Sequence, residues 1–144
     1  MNIKNKLLMF LLVLLISLFV YSCENKIERT YPLSLNYDFL SIGELRNKNV
    51  TSGNYNIEGY VVKIYTCPPC PKNAFCKPCA SDHILISEDD NITTYDKGVT
   101  VLVDNPKQFE LNKKYKFSLE FLQSSNVEGN TYLSFRLLGY ELLQ

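Results

Sequence analysis

The sequence predicts a mainly β protein: one small five-stranded barrel preceded by a short helix. Two observations indicate this fold class. From residue 54 onward, runs rich in Val, Ile, Tyr and Phe alternate with polar residues, as half-buried strands do. Turn-forming residues separate these runs at 88–91, 105–106, 112 and 128–130.

The first two elements of the domain have clear local signals. Ser41 and Glu44 form the capping-box pattern S/T-x-x-E, which predicts a short helix. Residues 54–66 then predict a long first strand. The apolar side of this strand changes phase at Gly59, and a glycine at such a change indicates a bulge or a bend. We therefore expect one long strand that serves two sheets.

Four further strands are expected along the rest of the chain. The second is short and apolar, and the others show strict alternation; they lie at 83–87, 99–103, 114–121 and 132–137. Phe117 and Phe121 fall on the apolar side of the clearest strand, so both are expected in the core. A short segment, 106–111, connects the third strand to the fourth.

The order of these strands, with a long bent first strand, resembles the OB-fold, a small Greek-key barrel, from residue 54 to about residue 142. A lipocalin-like barrel or a β-sandwich is the alternative. The resemblance implies a sheet face of the kind that binds oligonucleotides or oligosaccharides. The side chains available for such a face are Tyr60, Tyr65, Tyr132 and Arg136.

The first residues have the layout of a secretory signal peptide. Lys4 and Lys6 precede an apolar run, 7–20, and polar residues follow from residue 24. A membrane-spanning helix needs about 20 apolar residues, which is longer than this run. Val20-Tyr21-Ser22-Cys23 resembles the lipobox of bacterial lipoproteins, in which the cysteine is acylated and the chain is cut just before it.

The lipobox resemblance implies an organisation and a location. We expect a signal peptide over 1–22, a tether over 23–36 and a β-barrel domain over 37–144. Cys23 would be the lipidated residue, with palmitate among its acyl chains, and two or more chains give a stable anchor. The expected location is the cell envelope outside the cytoplasm, at the outer membrane.

The charge of the mature chain constrains its partners. Without Lys4 and Lys6, 13 of the 15 basic residues remain against 15 acidic ones, a net charge of about −2. A dedicated nucleic-acid binder normally has a basic excess, so nucleic acid is disfavoured as a partner. The expected partners are the membrane, through the anchor, and an envelope protein or glycan.

Four cysteines in the pattern C-x2-C-x5-C-x2-C form the strongest local signal; they are Cys67, Cys70, Cys76 and Cys79. In an oxidising compartment we expect disulfides, nested as Cys67–Cys79 and Cys70–Cys76, because strands leading into one loop bring the outer pair together. Local pairing within each CxxC remains open. The cluster would then be a Cys/Pro-rich loop between the first and second strands, closed by disulfides.

Two other hypotheses compete for these cysteines. The four thiolates could hold zinc or copper, which would make the chain a metal-binding lipoprotein. The CPPC and CKPC pairs also resemble the active sites of thioredoxin-like proteins at those four positions. However, neither pair opens a long helix, which is the usual means of lowering a thiol pKa.

No catalytic set is visible, and we expect no enzyme activity and no cofactor. His83 is the only histidine, and its position at a strand start predicts a half-exposed structural role. The acidic cluster at 88–91 is expected to be a solvated turn. The whole sequence resembles small OB-like bacterial lipoproteins of unassigned role with Cys/Pro-rich loops. We therefore expect an envelope binding or structural module.

Overall fold

A computed structural model describes residues 30–143. The predicted signal peptide, Cys23 and the first part of the tether lie outside the described residues. The elements, in chain order, are α1 (Ile42–Asn47), β1 (Asn54–Tyr65), β2 (His83–Ser87), β3 (Val99–Leu102), a 3₁₀ turn (Pro106–Gln108), β4 (Lys114–Val127) and β5 (Asn130–Leu142). Within the described range, no helix is long and apolar enough to cross a membrane.

The five strands form a closed barrel in the order β1-β2-β3-β5-β4. The β3–β5 pair is parallel, and the other neighbouring pairs are antiparallel. β1 closes the barrel because its residues 54–60 pair with β4 while residues 60–65 pair with β2. The predicted small OB-like barrel, with one long strand serving two neighbours, is confirmed.

The phase change in β1 lies later than the sequence predicts. Ile57 and Val61 are both fully buried in the core, so the inward phase continues through Gly59. The register shifts between Val61 and Lys63, and from there Ile64 packs against the core. Gly59 has a different role: a Cβ at this position would lie 2.6 Å from Cγ2 of Ile86. The glycine therefore permits close packing against β2.

The barrel interior is apolar, with Phe117 and Phe135 as its largest fully buried side chains. Phe117 confirms its predicted place in the core. Phe121 is only partly buried and packs its ring against Phe135, with centroids 5.6 Å apart. The register of β4 against β5 shifts directly after Phe121, which turns this position away from the centre.

The capping box predicted for α1 is present. The Ser41 hydroxyl accepts a hydrogen bond from the Glu44 backbone N–H at 3.1 Å, and the Glu44 carboxylate accepts one from the Ser41 N–H at 2.8 Å. Ile42 and Leu45 are buried in the core. The Arg46 guanidinium donates to the carbonyls of Gly98 and Thr131, which lie far apart in sequence, and these bonds help to orient the short helix.

Residues 31–40, here named the strap, run along the outside of the barrel. A buried polar pair, Asn56 on β1 and Ser118 on β4, holds the strap backbone. The Asn56 amide donates to the carbonyls of Leu35 and Tyr37 at 2.7 and 3.1 Å, and the Ser118 hydroxyl accepts from the Leu35 N–H at 2.7 Å. The later part of the predicted tether therefore packs against the domain.

β4 and β5 extend past the barrel as a two-stranded arm, formed by residues 122–127 and 130–132. Glu128 and Gly129 both have positive φ, of 52° and 82°, as a two-residue hairpin turn requires. The sequence predicts shorter strands here. Residues 123–126 are polar and exposed, so they lack the alternation that marks a half-buried strand.

Candidate functional site

The loop between β1 and β2, residues 66–82, is closed by two nested disulfides, and we name it the stapled loop. Cys67 pairs with Cys79 and Cys70 with Cys76, each with Cα atoms 5.9 Å apart. The predicted nested pairing is confirmed. In this form the sulfurs are not thiolates, so the metal hypothesis would require reduced protein. No group of three or more His, Cys, Asp and Glu side chains within residues 30–143 is arranged to hold a metal ion.

Asp82 fastens the stapled loop to the barrel at its base. Its carboxylate accepts a hydrogen bond from the Cys67 N–H at 2.8 Å, and its carbonyl accepts one from the Val103 N–H at 3.2 Å. At the far end, the Ala74 N–H donates to the Pro71 carbonyl at 3.2 Å and closes a turn. The loop is thus constrained at both ends, although it contains no strand or helix.

A surface cavity of about 670 Å³ lies beside the base of the stapled loop. Its floor is the outer face of neighbouring strands, and its walls come from the stapled loop and the arm. The lining residues are Tyr65, Cys79, Ala80, Ser81, His83, Tyr95, Thr100, Leu102, Leu122, Gln123 and Ser134. A cavity of this volume is within the range of small-ligand sites.

Three aromatic rings form one side of the cavity. Tyr65 and His83, a cross-strand pair on β1 and β2, stack with centroids 4.8 Å apart and planes 26° apart. Tyr95, from the β2–β3 connection, meets His83 edge-on at 5.8 Å. The ammonium of Lys63 lies 4.9 Å from the Tyr95 ring centre, which is cation–π distance. The result is an aromatic cluster in which Tyr65 and Tyr95 are half-buried and supply the accessible surface, with one cation beside it.

His83 is buried, with 5% of its surface exposed, so the predicted half-exposed role is wrong. The β2–β3 connection folds back over the ring and covers it. Its Nδ1 lies 2.8 Å from the Ser81 carbonyl, and its Nε2 lies 3.1 Å from the Tyr95 hydroxyl. Because a carbonyl oxygen only accepts hydrogen bonds, we assign the imidazole proton to Nδ1. Nε2 then accepts a hydrogen bond from the Tyr95 hydroxyl.

Tyr95 is a neutral phenol at neutral pH, as tyrosine ordinarily is, and its surroundings favour this form further. Burial raises the pKa of its hydroxyl, and the nearby Tyr65 hydroxyl raises this pKa further. A neutral phenol keeps the proton that it donates to His83. The ring positions are therefore held by hydrogen bonds and stacking rather than by charge.

A second cavity of about 480 Å³ adjoins the first and shares Ser81 and Leu102 with it. It has a different charge character, because Asp82 and Asp104 lie in its lining. Arg136 also lines it, but its guanidinium is paired with Glu120 at 3.1 Å. This side of the aromatic surface is therefore not a positive groove.

The four residues that the sequence suggested for a binding face do not lie together in one site. Tyr65 lines the first cavity and Arg136 the second, whereas Tyr60 and Tyr132 line neither. Sequence reasoning missed Tyr95, which lies in a turn-rich connection with no periodic pattern. Only the folding of that connection back over β2 reveals its role.

No protein-family model matches this chain, and a search of curated proteins gives no match.

Proposed function

We propose that this protein is a lipid-anchored, non-catalytic module of the cell envelope that binds a glycan in the aromatic cavity. The observation that supports this most is the stacked Tyr65–His83 pair with Tyr95 beside it, on the barrel's outer face. Faces at this position, between the first loop and the last hairpin, are where OB-folds bind oligosaccharides and oligonucleotides.

The cavity chemistry suits a sugar. The flat apolar side of a pyranose ring can pack on the Tyr65 ring, as apolar groups do on aromatic faces. Thr100, Gln123 and Ser134 offer hydroxyl and amide groups for the sugar hydroxyls. A few polar groups around an apolar surface are the usual composition of a specific small-ligand site.

A nucleic acid fits the same surface less well. Strand-tracking proteins combine stacked aromatics with a positive groove for the phosphates. Here one lysine, Lys63, stands beside the rings, and the adjoining cavity contains Asp82 and Asp104. Their carboxylates would repel a phosphate backbone.

Calorimetric titration of the protein with soluble peptidoglycan fragments tests the glycan proposal. We expect saturable binding that Tyr65→Ala weakens by about 5- to 150-fold, if a sugar ring gains as much from stacking as a nucleic-acid base does, about 1–3 kcal/mol. Tyr60→Ala is the matched control, because Tyr60 lies on the same strand outside both cavities. Equal affinity of the two variants, or binding of single-stranded DNA alone, would refute the glycan assignment.

The lipid anchor is proposed from the lipobox resemblance at Val20-Tyr21-Ser22-Cys23. We propose an outer-membrane location, and an oxidising compartment agrees with the two disulfides of the stapled loop. Cys23→Ser is expected to abolish labelling by radioactive palmitate and to leave the precursor uncleaved. Continued labelling of this variant would contradict the proposal.

A further inference from the structure

We propose that the stapled loop is a second membrane contact, in which Phe75 enters the headgroup boundary of the bilayer and Lys72 and Lys77 lie beside anionic lipid headgroups. The inference builds on the proposed anchor at Cys23, because the anchor places the barrel at a bilayer. It adds an orientation, with the loop side of the barrel toward the lipid.

The first observation is the exposure and rigidity of the loop tip. Phe75 has a relative exposure of 109%, against 59% or less for every other exposed large apolar residue that the structure describes. Single exposed apolar residues are common on protein surfaces. Phe75 differs because it directly precedes the disulfide-bonded Cys76 and follows the turn closed by Pro71 and Ala74. The inner disulfide and this turn therefore constrain the backbone on both sides of Phe75.

The second observation is the charge of the loop. From residue 66 to residue 81 there are two lysines, Lys72 and Lys77, and no Asp or Glu. The next acid, Asp82, lies at the base and already accepts the Cys67 N–H. An apolar residue between two cations suits the interface of an anionic bilayer, where basic side chains are attracted to lipid headgroups.

The third observation is where the strap begins. The Tyr31 hydroxyl accepts a hydrogen bond from the Asp104 N–H at 2.8 Å. Asp104 follows Val103, whose N–H donates to the Asp82 carbonyl at the base of the stapled loop. The start of the strap therefore lies beside the base of the stapled loop, and the segment that contains Cys23 joins the described residues at this point.

Eight residues separate Cys23 from Tyr31, so this segment spans at most about 28 Å. The Cα atoms of Cys70 and Cys76 are 5.9 Å apart, and this cross-link limits Phe75 to about 20 Å from Cys67. The two distances are of the same order, so an acylated Cys23 would let the loop tip touch the bilayer when its own segment is not fully extended. This proximity favours lipid over a soluble protein partner as the occupant.

The absence of tryptophan from the chain allows a direct test. Phe75→Trp gives a single fluorophore at the loop tip, and Phe39→Trp gives a matched control at another exposed phenylalanine. Phe39 pairs with Asn56 near the start of β1, whereas the stapled loop follows the opposite end of that strand at Tyr65. Both variants would be purified from membranes as the full acylated protein and reconstituted into vesicles of phosphatidylethanolamine and phosphatidylglycerol.

We expect the emission of Trp at position 75 to shift to shorter wavelength and to be quenched by brominated lipids. Trp at position 39 should show neither effect. Adding Lys72→Glu and Lys77→Glu should reduce the quenching in these vesicles more than in vesicles of phosphatidylcholine. An unshifted and unquenched Trp at position 75 in anchored protein would overturn the proposal.

Mass spectrometry of the same samples determines separately whether Cys23 is acylated. If Cys23 carries no acyl group, the lipoprotein proposal fails, whatever the fluorescence shows. In that case the unacylated protein would be mixed with preformed vesicles and its Trp fluorescence recorded. Quenching of Trp at position 75 but not at position 39 would support the loop contact. No quenching at position 75 would overturn it.

Discussion

The barrel interior and the stapled loop are adjacent in space, but different forces stabilise them. The interior is a continuous apolar cluster in which Phe117, Phe135 and Leu119 are nearly inaccessible to water. In the stapled loop, most side chains are exposed, and the structure depends on two covalent bonds and on Asp82 at the base.

This difference means that the barrel provides the folding stability, while the stapled loop presents side chains to the solvent. A closed barrel removes free strand edges and buries its apolar faces without help from the loop. The loop buries too little apolar surface to order itself, so cross-links take over that role. Truncations in the interior should therefore destabilise the whole domain, whereas side-chain changes in the loop that keep its disulfides should alter only the loop and the cavity beside it.

The largest effect is expected in the interior. Phe117→Ala should lower the free energy of unfolding by about 3–5 kcal/mol, because it removes a fully buried ring and leaves a cavity. Phe75→Ala, at the fully exposed loop tip, should stay within about 0.5 kcal/mol of the natural protein. Urea denaturation of both variants measures this contrast, and similar losses would show that the two regions are not distinct.

A smaller effect is expected from the outer disulfide. Replacing Cys67 and Cys79 together by Ser should cost up to about 3 kcal/mol, since this bond closes the longer of the two loops, with a sequence separation of 12. The matched control replaces Cys70 and Cys76 together by Ser. The disulfide that it removes spans a sequence separation of 6, so the loss of stability should be smaller, about 2 kcal/mol at most. The reverse order of melting temperatures would argue against loop-closure entropy as the cause.

The strap provides an intermediate case, held by buried hydrogen bonds. Asn56→Ala should cost about 1–3 kcal/mol, because it leaves the carbonyls of Leu35 and Tyr37 without their donor. Hydrogen exchange at the Leu35 amide should become faster. Asn54→Ala, at an exposed position on the same strand, is the control and should change neither quantity.

The smallest effect is expected at the helix cap. Ser41→Ala should cost about 1 kcal/mol, a typical value for a lost N-cap.

The Ser41 backbone and hydroxyl hydrogen bonds hold the pKa of Glu44 below its usual value. A folded-state pKa lower than the unfolded one means that this stabilisation is complete above the unfolded pKa and is lost as the pH falls through the folded pKa. Acid titration of stability, with Glu44→Gln as the comparison, should show a shallower fall in the variant.

The sequence by itself determined the features that depend on neighbouring residues. Alternation located four of the strands and a short apolar run located β2, although β4 and β5 extend further than predicted. The pattern at Ser41 and Glu44 located the helix start, since these signals act within a few residues. The sequence also favoured the nested cysteine pairing, because strands that enter and leave one loop bring the outer cysteines together, but it left local pairing open, and the structure decided between the two.

Only the tertiary structure decided the features that join distant segments. Tyr95 reaches His83 because the β2–β3 connection folds back over β2, and the strap reaches Asn56 and Ser118 across the outer face. The bulge that turns Ile64 inward is set by the pairing of β1 with β2. Such contacts depend on strand register and loop path, which follow from the packing of the whole barrel and not from the spacing of residues along the chain.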